Sequence, residues 1–245
     1  HTNPFTINED VVIPLAQLSS YSRGNELINI RQSIDNKISI AEAFQKYLQA
    51  EVLGNEDSIL CAKVDFSLGL IKQRIETWRL WLHNFETEAL ALNGDTEAGI
   101  TIIDCLLQNR LKVSFRNEIR RPIDEIFVGL EFETLRAKLD NIHQNMRNSR
   151  LFVALHMHAG DGNVHTNIPV HSDNYAMLQS AEGIVDEIMQ LATSLGGVVS
   201  GEHGIGLTKI QYLDENQLTA FRDYKQRVDP EQVFNRGKLL AGSGL

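Results

Sequence analysis

The stretch LFVALHMHAGDGNVHTNIPV, residues 151–170, holds two β-rich runs on either side of a turn sequence with two glycines. The first run, 151–158, is mostly apolar, and the second, 163–170, alternates apolar and polar residues. A connection as short as 159–162 joins antiparallel neighbours, because parallel strands need a long crossover. The sequence therefore predicts an antiparallel β-hairpin here.

The segments that flank the hairpin on both sides predict a larger sheet. Residues 10–14 form a short β-rich run that ends at a proline. After the hairpin, Ser172 or Asp173 can cap a helix that ends near Leu195. Residues 198–199 then predict a fourth strand. After Gly206 the pattern returns to helix, up to about Leu240. The order is strand, helical region, strand, strand, helix, strand. This order predicts an α+β fold with a ferredoxin-like βαββαβ antiparallel sheet.

The first helical region is far larger than this fold requires. Residues 38–146 are therefore interpreted as a helical insertion, and residues 1–37 and 147–245 as the sheet domain. One apolar series within the insertion follows a heptad spacing and predicts a long helix: Val64, Leu68, Ile71, Ile75, Trp78, Leu82 and Phe85. A second predicts its antiparallel partner, with Pro122 in the first turn: Ile123, Ile126, Leu130, Leu135, Leu139 and Ile142.

Composition excludes several classes of function. The 23 basic residues against 32 acidic ones give a formal net charge of -9, whereas a nucleic-acid binder needs a basic face. The sequence has no apolar run of about 18 residues that could cross a membrane. Two cysteines can supply neither a disulfide framework nor an iron–sulfur cluster. We therefore expect a cytoplasmic protein, with peripheral attachment to the inner membrane as an alternative.

The hairpin carries the first group of chemically capable residues. His158 and His165 are equidistant from Asp161-Gly162, so a turn centred there would place both imidazoles on one face, close enough to share a divalent metal. His156 would share that face, farther from the turn. The alternative is a glycine-rich hairpin whose polar residues only form turn hydrogen bonds.

A second group follows the predicted fourth strand, in the sequence Gly201-Glu202-His203-Gly204. Glu202 would complete a set of two histidines and one carboxylate, which leaves coordination positions open, as catalytic metals require. The imidazole of His203 could act as a general base on a metal-bound alcohol. The alternative is a glycine-rich helix start with a capping glutamate.

The two motifs HAGDGNVH (158–165) and GEHGIG (201–206), followed by Lys209, resemble the C-terminal substrate-binding domain of FAD-linked 2-hydroxyacid dehydrogenases and oxidases. The family includes D-lactate dehydrogenase, the glycolate oxidase flavin subunit and D-2-hydroxyglutarate dehydrogenase. The segments DVVIP (10–14) and DPEQVFNRGKL (229–239) are similar to this family's first cap strand and to its ending. The resemblance covers about 150–245 well, 1–20 thinly, and most of the helical insertion not at all.

The resemblance implies roles for individual residues. It implies that His158, His165 and Glu202 bind a divalent metal, zinc or manganese, that Asn163 and Lys209 contact the substrate, and that His203 is the catalytic base. The implied reaction oxidises a small 2-hydroxyacid to a 2-oxoacid, with hydride transfer to FAD. The family's FAD-binding domain lies upstream of the first cap strand, so we expect this stretch to be inactive by itself and to need that domain as its partner.

Further partners follow from the same resemblance. Long bacterial members carry iron–sulfur modules, so an iron–sulfur domain or another electron-transfer partner is expected, as well as a homo-oligomer. Two rival functions remain open from the sequence. The helical insertion could be a docking module beside a vestigial site, or the two histidines and the glutamate could serve a metal-dependent hydrolase.

Overall fold

The computed structural model describes residues 4–54, 56–89 and 99–236. These residues fall into two compact units, one formed by the chain up to Ile28 and from Leu151 onward, the other by Asn29–Arg150. The sequence places the boundaries at 37/38 and 146/147 instead. The observed and the predicted first boundary both lie within helix α1, which runs without interruption from Leu18 to Glu51.

One antiparallel sheet organises the first unit. Its strands are β1 (Pro4–Val12), β2 (Ala154–His158) and β3 (Asn163–His171), and β3 lies in the centre. β1 begins and ends earlier than the predicted run 10–14, because Pro14 already starts a short 3₁₀ helix, Leu15–Gln17. β2 is shorter than predicted and begins at Ala154. The hairpin between β2 and β3 confirms that sequence prediction.

The two faces of the sheet have different chemistry. Along β3, Val164, Ile168 and Val170 are buried in an apolar core against helix α6 (Tyr175–Ser194). Side chains alternate along a strand, so the odd-numbered residues of β3 point to the opposite face. Helix α6 begins at an Asn174 cap whose side chain accepts from the Met177 N–H, so the predicted caps Ser172 and Asp173 are wrong. The sheet therefore has one apolar face and one polar face.

The register of the hairpin differs from the predicted one. The turn spans 159–162, so His158 lies opposite Asn163 and His165 lies opposite His156. The predicted turn centre at Asp161-Gly162 is wrong, because the connection 159–162 is centred one residue earlier, on Gly160-Asp161, with both Asp161 and Gly162 N–H groups donating to His158 O. His158 and His165 are consequently diagonal neighbours on one face rather than direct partners.

The turn is fixed to the chain that follows β1. Gly162 has φ of 77°, and its carbonyl accepts from the Ile13 N–H at 2.9 Å. A Cβ at Gly162 would lie 2.1 Å from the Ile13 carbonyl oxygen, whereas a Cβ at Gly160 would meet no atom within 4 Å. Only glycine combines this φ with so close an approach.

We therefore expect Gly162→Ala to lower the free energy of unfolding by more than about 1 kcal/mol. Gly160→Ala, two residues away in the same turn, is the matched control and should change it by less than about 0.5 kcal/mol. Urea denaturation of the three proteins measures both. Equal stability of the two variants would show that the turn is not held as described.

The predicted fourth strand is reduced to a single bridge. Val198 pairs with Val12 in an antiparallel bridge, with N–H···O distances of 2.9 and 3.0 Å in the two directions. Among the described residues the sheet has three strands, and the ferredoxin-like arrangement stays a prediction. The bridge nevertheless fixes the start of the following loop next to the end of β1.

The described part of the chain after this loop contains a 3₁₀ turn at Ile210–Tyr212 and helix α7, Glu215–Val228. The predicted helix up to Leu240 is wrong over 229–236, and residues 237–240 lie outside the described residues. Helix α7 begins with a capping box between Asp214 and Gln217, which satisfies two N–H groups of its first turn.

The second unit is a helical core. It contains the rest of α1, then α2 (Ser58–His83), α3 (Ile102–Leu107), α4 (Arg121–Ile126) and α5 (Glu133–Asn148), with a π-helical turn before α4. The predicted heptad series lies on α2 and continues just past its end, and all of it contributes to one core. Four of its residues are buried: Val64, Ile71, Ile75 and Trp78. Three are half-buried: Leu68, Leu82 and Phe85.

Two helical predictions need correction. Helix α1 begins at Leu18, well before Ile38, and its amino-terminal part has few apolar residues in a helical period. The second apolar series is divided among α4, a 3₁₀ helix at Leu130–Phe132 and α5, because Gly129 takes a φ of 115° that a helix cannot contain. Pro122 does lie in the first turn of α4, as predicted. Among the helices described, none has the length and hydropathy that a bilayer crossing requires.

Candidate metal and catalytic site

Three imidazoles share the polar face of the sheet. The ring centroids of His156 and His158 are 5.6 Å apart, those of His158 and His165 are 5.5 Å apart, and those of His156 and His165 are 6.1 Å apart. The first two residues are exposed and His165 is buried. The cluster follows directly from the register, since residues two apart on a strand point to the same face.

The loop after Val198 brings a carboxylate to this cluster. Glu202 Oε1 lies 2.8 Å from His165 Nε2. One ligand atom from each of His158, His165 and Glu202 can be chosen so that all three lie within 4.8 Å of one another. Two imidazole nitrogens and one carboxylate oxygen at such separations suit a transition-metal ion. The structure thus brings together the three residues that the sequence motifs nominated.

A buried aspartate holds the loop in this position. Asp10 on β1 is completely buried. Its Oδ2 accepts the backbone N–H groups of Gly201, Glu202 and His203 at 2.6, 2.5 and 3.2 Å, and Ser200 Oγ donates to its Oδ1 at 3.2 Å. Three successive amides converging on one carboxylate fix the backbone of the loop. Asp10 therefore positions the backbone from which the Glu202 and His203 side chains extend.

Lys209 completes the buried charge pair beneath the loop. Its Nζ donates to Asp10 Oδ1 at 2.6 Å and to Asp10 O at 2.9 Å, and lies 3.1 Å from Glu9 Oε2. Burial by itself raises the pKa of Asp10, but the hydrogen bonds from Lys209 and from the loop amides outweigh it and hold this pKa below the ordinary 3.8.

These contacts argue against the predicted substrate contact by Lys209. An ammonium group has three protons, and three oxygen acceptors on β1 already surround this one. The side chain is also almost fully buried, at 3% exposure. The contacts give Lys209 a role in positioning Asp10, and its contact with a substrate stays a prediction.

His203 lies beside the three converging residues. Its ring centroid is 5.1 Å from that of His165, and its Nδ1 is 3.5 Å from Asp10 Oδ1. The residue is exposed, so Nε2 is available to solvent or to a bound molecule. The Asp10 carboxylate on the Nδ1 side would stabilise the positive charge that the ring gains when Nε2 takes up a proton. This arrangement gives His203 the geometry of a general base.

Asn163 is next to both parts of the site. It lies opposite His158 on β2 and opposite Val12 on β1. Its side-chain Oδ1 is buried and has no hydrogen-bond partner among the described residues. A Cβ at Gly201 would come within 2.9 Å of this oxygen, so glycine allows the loop to approach. A buried polar atom without a partner is costly.

Sequence reasoning missed Asp10 as a functional residue. The available signal was a charged residue inside an otherwise β-rich apolar run, Asp10-Val11-Val12-Ile13. Because charged residues are rarely buried without a partner, such a residue predicts either an edge position or a buried pair. His156 was placed on the correct face, but its direct pairing with His165 required the register of the hairpin.

Comparison with known proteins adds an independent finding. Residues 128–239 match the family described as FAD linked oxidases, C-terminal domain. The glycolate oxidase subunit GlcD of Escherichia coli (strain K12) is 35% identical over 106 residues, covering 42% of this chain and 21% of that protein. The D-lactate dehydrogenase of Archaeoglobus fulgidus is 41% identical over 86 residues, covering 34% of this chain and 19% of that protein.

A plant protein is similar over much the same length. The mitochondrial D-lactate dehydrogenase (cytochrome) of Arabidopsis thaliana is 33% identical over 96 residues, covering 38% of this chain and 17% of that protein. The matched segments thus span about a fifth of the length of these relatives.

These similarities support an FAD-linked oxidoreductase domain over the matched residues. Residues 128–239 belong to the C-terminal domain family of FAD-linked oxidases, which confirms the resemblance found in the sequence motifs. The family segment contains β2, β3 and the loop with Glu202 and His203, whereas Asp10 lies outside it. The site therefore combines residues of the matched segment with one from the amino-terminal strand.

Proposed function

We propose that this chain binds the substrate and a divalent metal for an FAD-dependent 2-hydroxyacid dehydrogenase. The observation that carries the proposal is the convergence of His158, His165 and Glu202 within 4.8 Å, directly beside His203. The names of the relatives point to glycolate and D-lactate as the first substrates to test. The membership of 128–239 in an FAD-linked family supports FAD as the hydride acceptor.

The ligand set fits a metal that keeps open positions. His158, His165 and Glu202 supply three ligand atoms, so the coordination shell retains room for oxygen atoms of a substrate. When bound, the metal would lower the pKa of the substrate hydroxyl and FAD would accept the hydride from the hydroxyl-bearing carbon. His158, Glu202 and His203 are exposed, which leaves the site accessible to a substrate and to a flavin.

His203 takes the hydroxyl proton at its Nε2. Asp10 faces its Nδ1 and receives its backbone N–H, so one carboxylate orients the ring and fixes its backbone. The developing imidazolium is stabilised by the same negative charge, as in other carboxylate–histidine pairs. Asn163 would orient the bound substrate through its side-chain amide, whose Oδ1 has no other partner in the described chain.

The test uses the FAD-containing enzyme that carries this chain. Anaerobic addition of D-lactate or glycolate should bleach the flavin absorbance. His203→Ala should slow this reduction by at least about 100-fold, because general-base catalysis contributes that much or more. The metal content should be unchanged. His83→Ala, at an exposed histidine of α2, is the control and should leave the rate unchanged.

Two outcomes would contradict the proposal. Reduction of the flavin at an unchanged rate by the His203→Ala enzyme would remove His203 as the base. A flavin that no 2-hydroxyacid reduces, together with metal-dependent ester or amide hydrolysis, would favour a hydrolase that uses the same ligand set and a metal-activated water.

A further inference from the structure

The helical unit contains a cavity of about 510 Å³ with an unusual charge. Every ionised side chain that the structure places along its wall is a cation: Lys37, Arg116, Arg120, Arg147 and Arg150. His143 also lines it. The clustering is notable in a chain whose formal net charge is -9. Five like charges around one cavity repel each other and need counter-charge.

Acidic side chains of the protein already neutralise part of this positive charge. Arg120 Nε and Nη2 contact Asp124 at 3.0 and 2.8 Å, and Nη2 also contacts Asp140 at 3.0 Å. Its other terminal nitrogen, Nη1, is buried and has no hydrogen-bond partner in the described part of the chain. Leaving a buried donor unpaired costs about 1–3 kcal/mol, more when the group is charged. Arg120, which lines the cavity, thus keeps one buried guanidinium nitrogen without an acceptor among the described residues.

The pKa directions at the cavity agree with an excess of positive potential. Burial lowers the pKa of Lys37, and the nearby charge of Arg150 lowers it further, against an opposing effect of Glu118. Burial also lowers the pKa of His143, as do the charges of Arg120 and Arg147, against an opposing effect of Asp140. A bound anion would reverse both electrostatic effects.

We propose that this cavity binds a small, multiply charged anion of the class of inorganic phosphate and phosphate esters. Guanidinium groups match the oxygen geometry of phosphate, and the Lys37 ammonium adds a point charge at its side. A singly charged carboxylate would neutralise less of the positive charge that remains after the Arg120 ion pairs. The volume lies within the range of about 300–1,000 Å³ that is typical of small-molecule sites. The site lies in the helical unit and is independent of the function proposed for the sheet unit.

Inorganic phosphate is the probe. Isothermal titration calorimetry of the whole protein in a phosphate-free buffer should show saturable binding that weakens with added NaCl. Acetate should bind at least about tenfold more weakly, because one charge replaces two. Titration of phosphate should also shift the ring-proton NMR resonance of His143, which reports binding at this cavity rather than elsewhere.

Charge-removing variants locate the site. Arg147→Gln/Arg150→Gln alters two exposed side chains and should weaken phosphate binding by at least about tenfold without loss of folding. Lys37→Met should weaken it comparably. Arg121→Gln/Lys138→Gln removes two exposed charges of the same unit that do not line the cavity, and should change the affinity by less than about threefold.

Three results would overturn the proposal. One is the absence of both heat and the His143 shift up to about 10 mM phosphate, a range that covers millimolar affinity. Another is equal weakening by the cavity and control double variants, which would mean a general charge effect. The third is equal affinity for acetate and phosphate, which would remove the multiply charged class.

Discussion

Asp10→Asn should destabilise the sheet unit by about 3 kcal/mol, the low end of the cost of breaking a buried ion pair. The substitution keeps the shape of the side chain but removes the charge that faces Lys209 and the three loop amides. Glu9 remains near Lys209 Nζ and limits the loss. Urea unfolding of the whole chain measures the change in the free energy of unfolding.

A double-mutant cycle separates the ion pair from the loop contacts. If the Asp10–Lys209 pair dominates, adding Lys209→Met should recover more than about 1 kcal/mol of the loss, because no uncompensated buried charge then remains. Asp173→Ala, at an exposed aspartate of the same unit, should change stability by less than about 0.5 kcal/mol. Strictly additive effects of the two substitutions would show that the pair is not coupled.

The pH dependence of the Asp10→Asn effect has a defined sign. The pKa of Asp10 is held below its ordinary 3.8 in the folded protein, so the carboxylate contributes its full stability above that value. The contribution is lost as the pH falls from 3.8 through the folded-state pKa. The difference between wild type and variant should therefore be constant from about pH 5 to 8 and shrink in stronger acid.

Glu202→Ala should weaken zinc or manganese binding by at least about 100-fold, since even loss of a residue that only orients a ligand costs 10- to 100-fold. Glu202 supplies the carboxylate of the set, and its Oε1 is already 2.8 Å from His165 Nε2. Plasma mass spectrometry after dialysis gives the metal content, and competition with a chelator gives the affinity.

His156→Ala is the control for this experiment. His156 has the same side chain on the same face, with its ring centroid 6.1 Å from that of His165, but it is not one of the three residues whose ligand atoms converge. We expect this variant to retain the metal. Loss of metal in His156→Ala with retention in Glu202→Ala would require a different ligand set, formed by the three histidines of the sheet.

The motifs allowed the three converging residues to be predicted as a candidate metal site, but not their geometry. His158, His165 and Glu202 could be nominated because residue type and spacing along the chain point to metal binding. Which histidines face each other depends on which residue pair lies at the centre of the turn at 159–162, and shifting the register changes every pair. Tertiary contacts, rather than local pattern, decide such details.

Other parts of the structure depend on contacts that the sequence pattern does not carry. Helix α1 extends through a polar stretch from Leu18, where apolar periodicity is weak. The division of the second apolar series depends on a single backbone conformation, the positive φ of Gly129. Asp10 acquires its role from amides 191 to 193 positions later in the chain. No local pattern encodes a partner at that distance.

That separation has a consequence for how the protein is synthesised. During translation, β1 leaves the ribosome long before the loop at 200–206, and the whole helical unit Asn29–Arg150 is made in between. Until the loop arrives, the Asp10 carboxylate has neither the amides nor the Lys209 ammonium to offset its dehydration. The entropy cost of bringing β1 and the loop at 200–206 together grows only slowly with the number of residues between them. We therefore expect β1 to stay hydrated and unpaired in the nascent chain, and the site to form in the same cooperative step that folds the sheet unit.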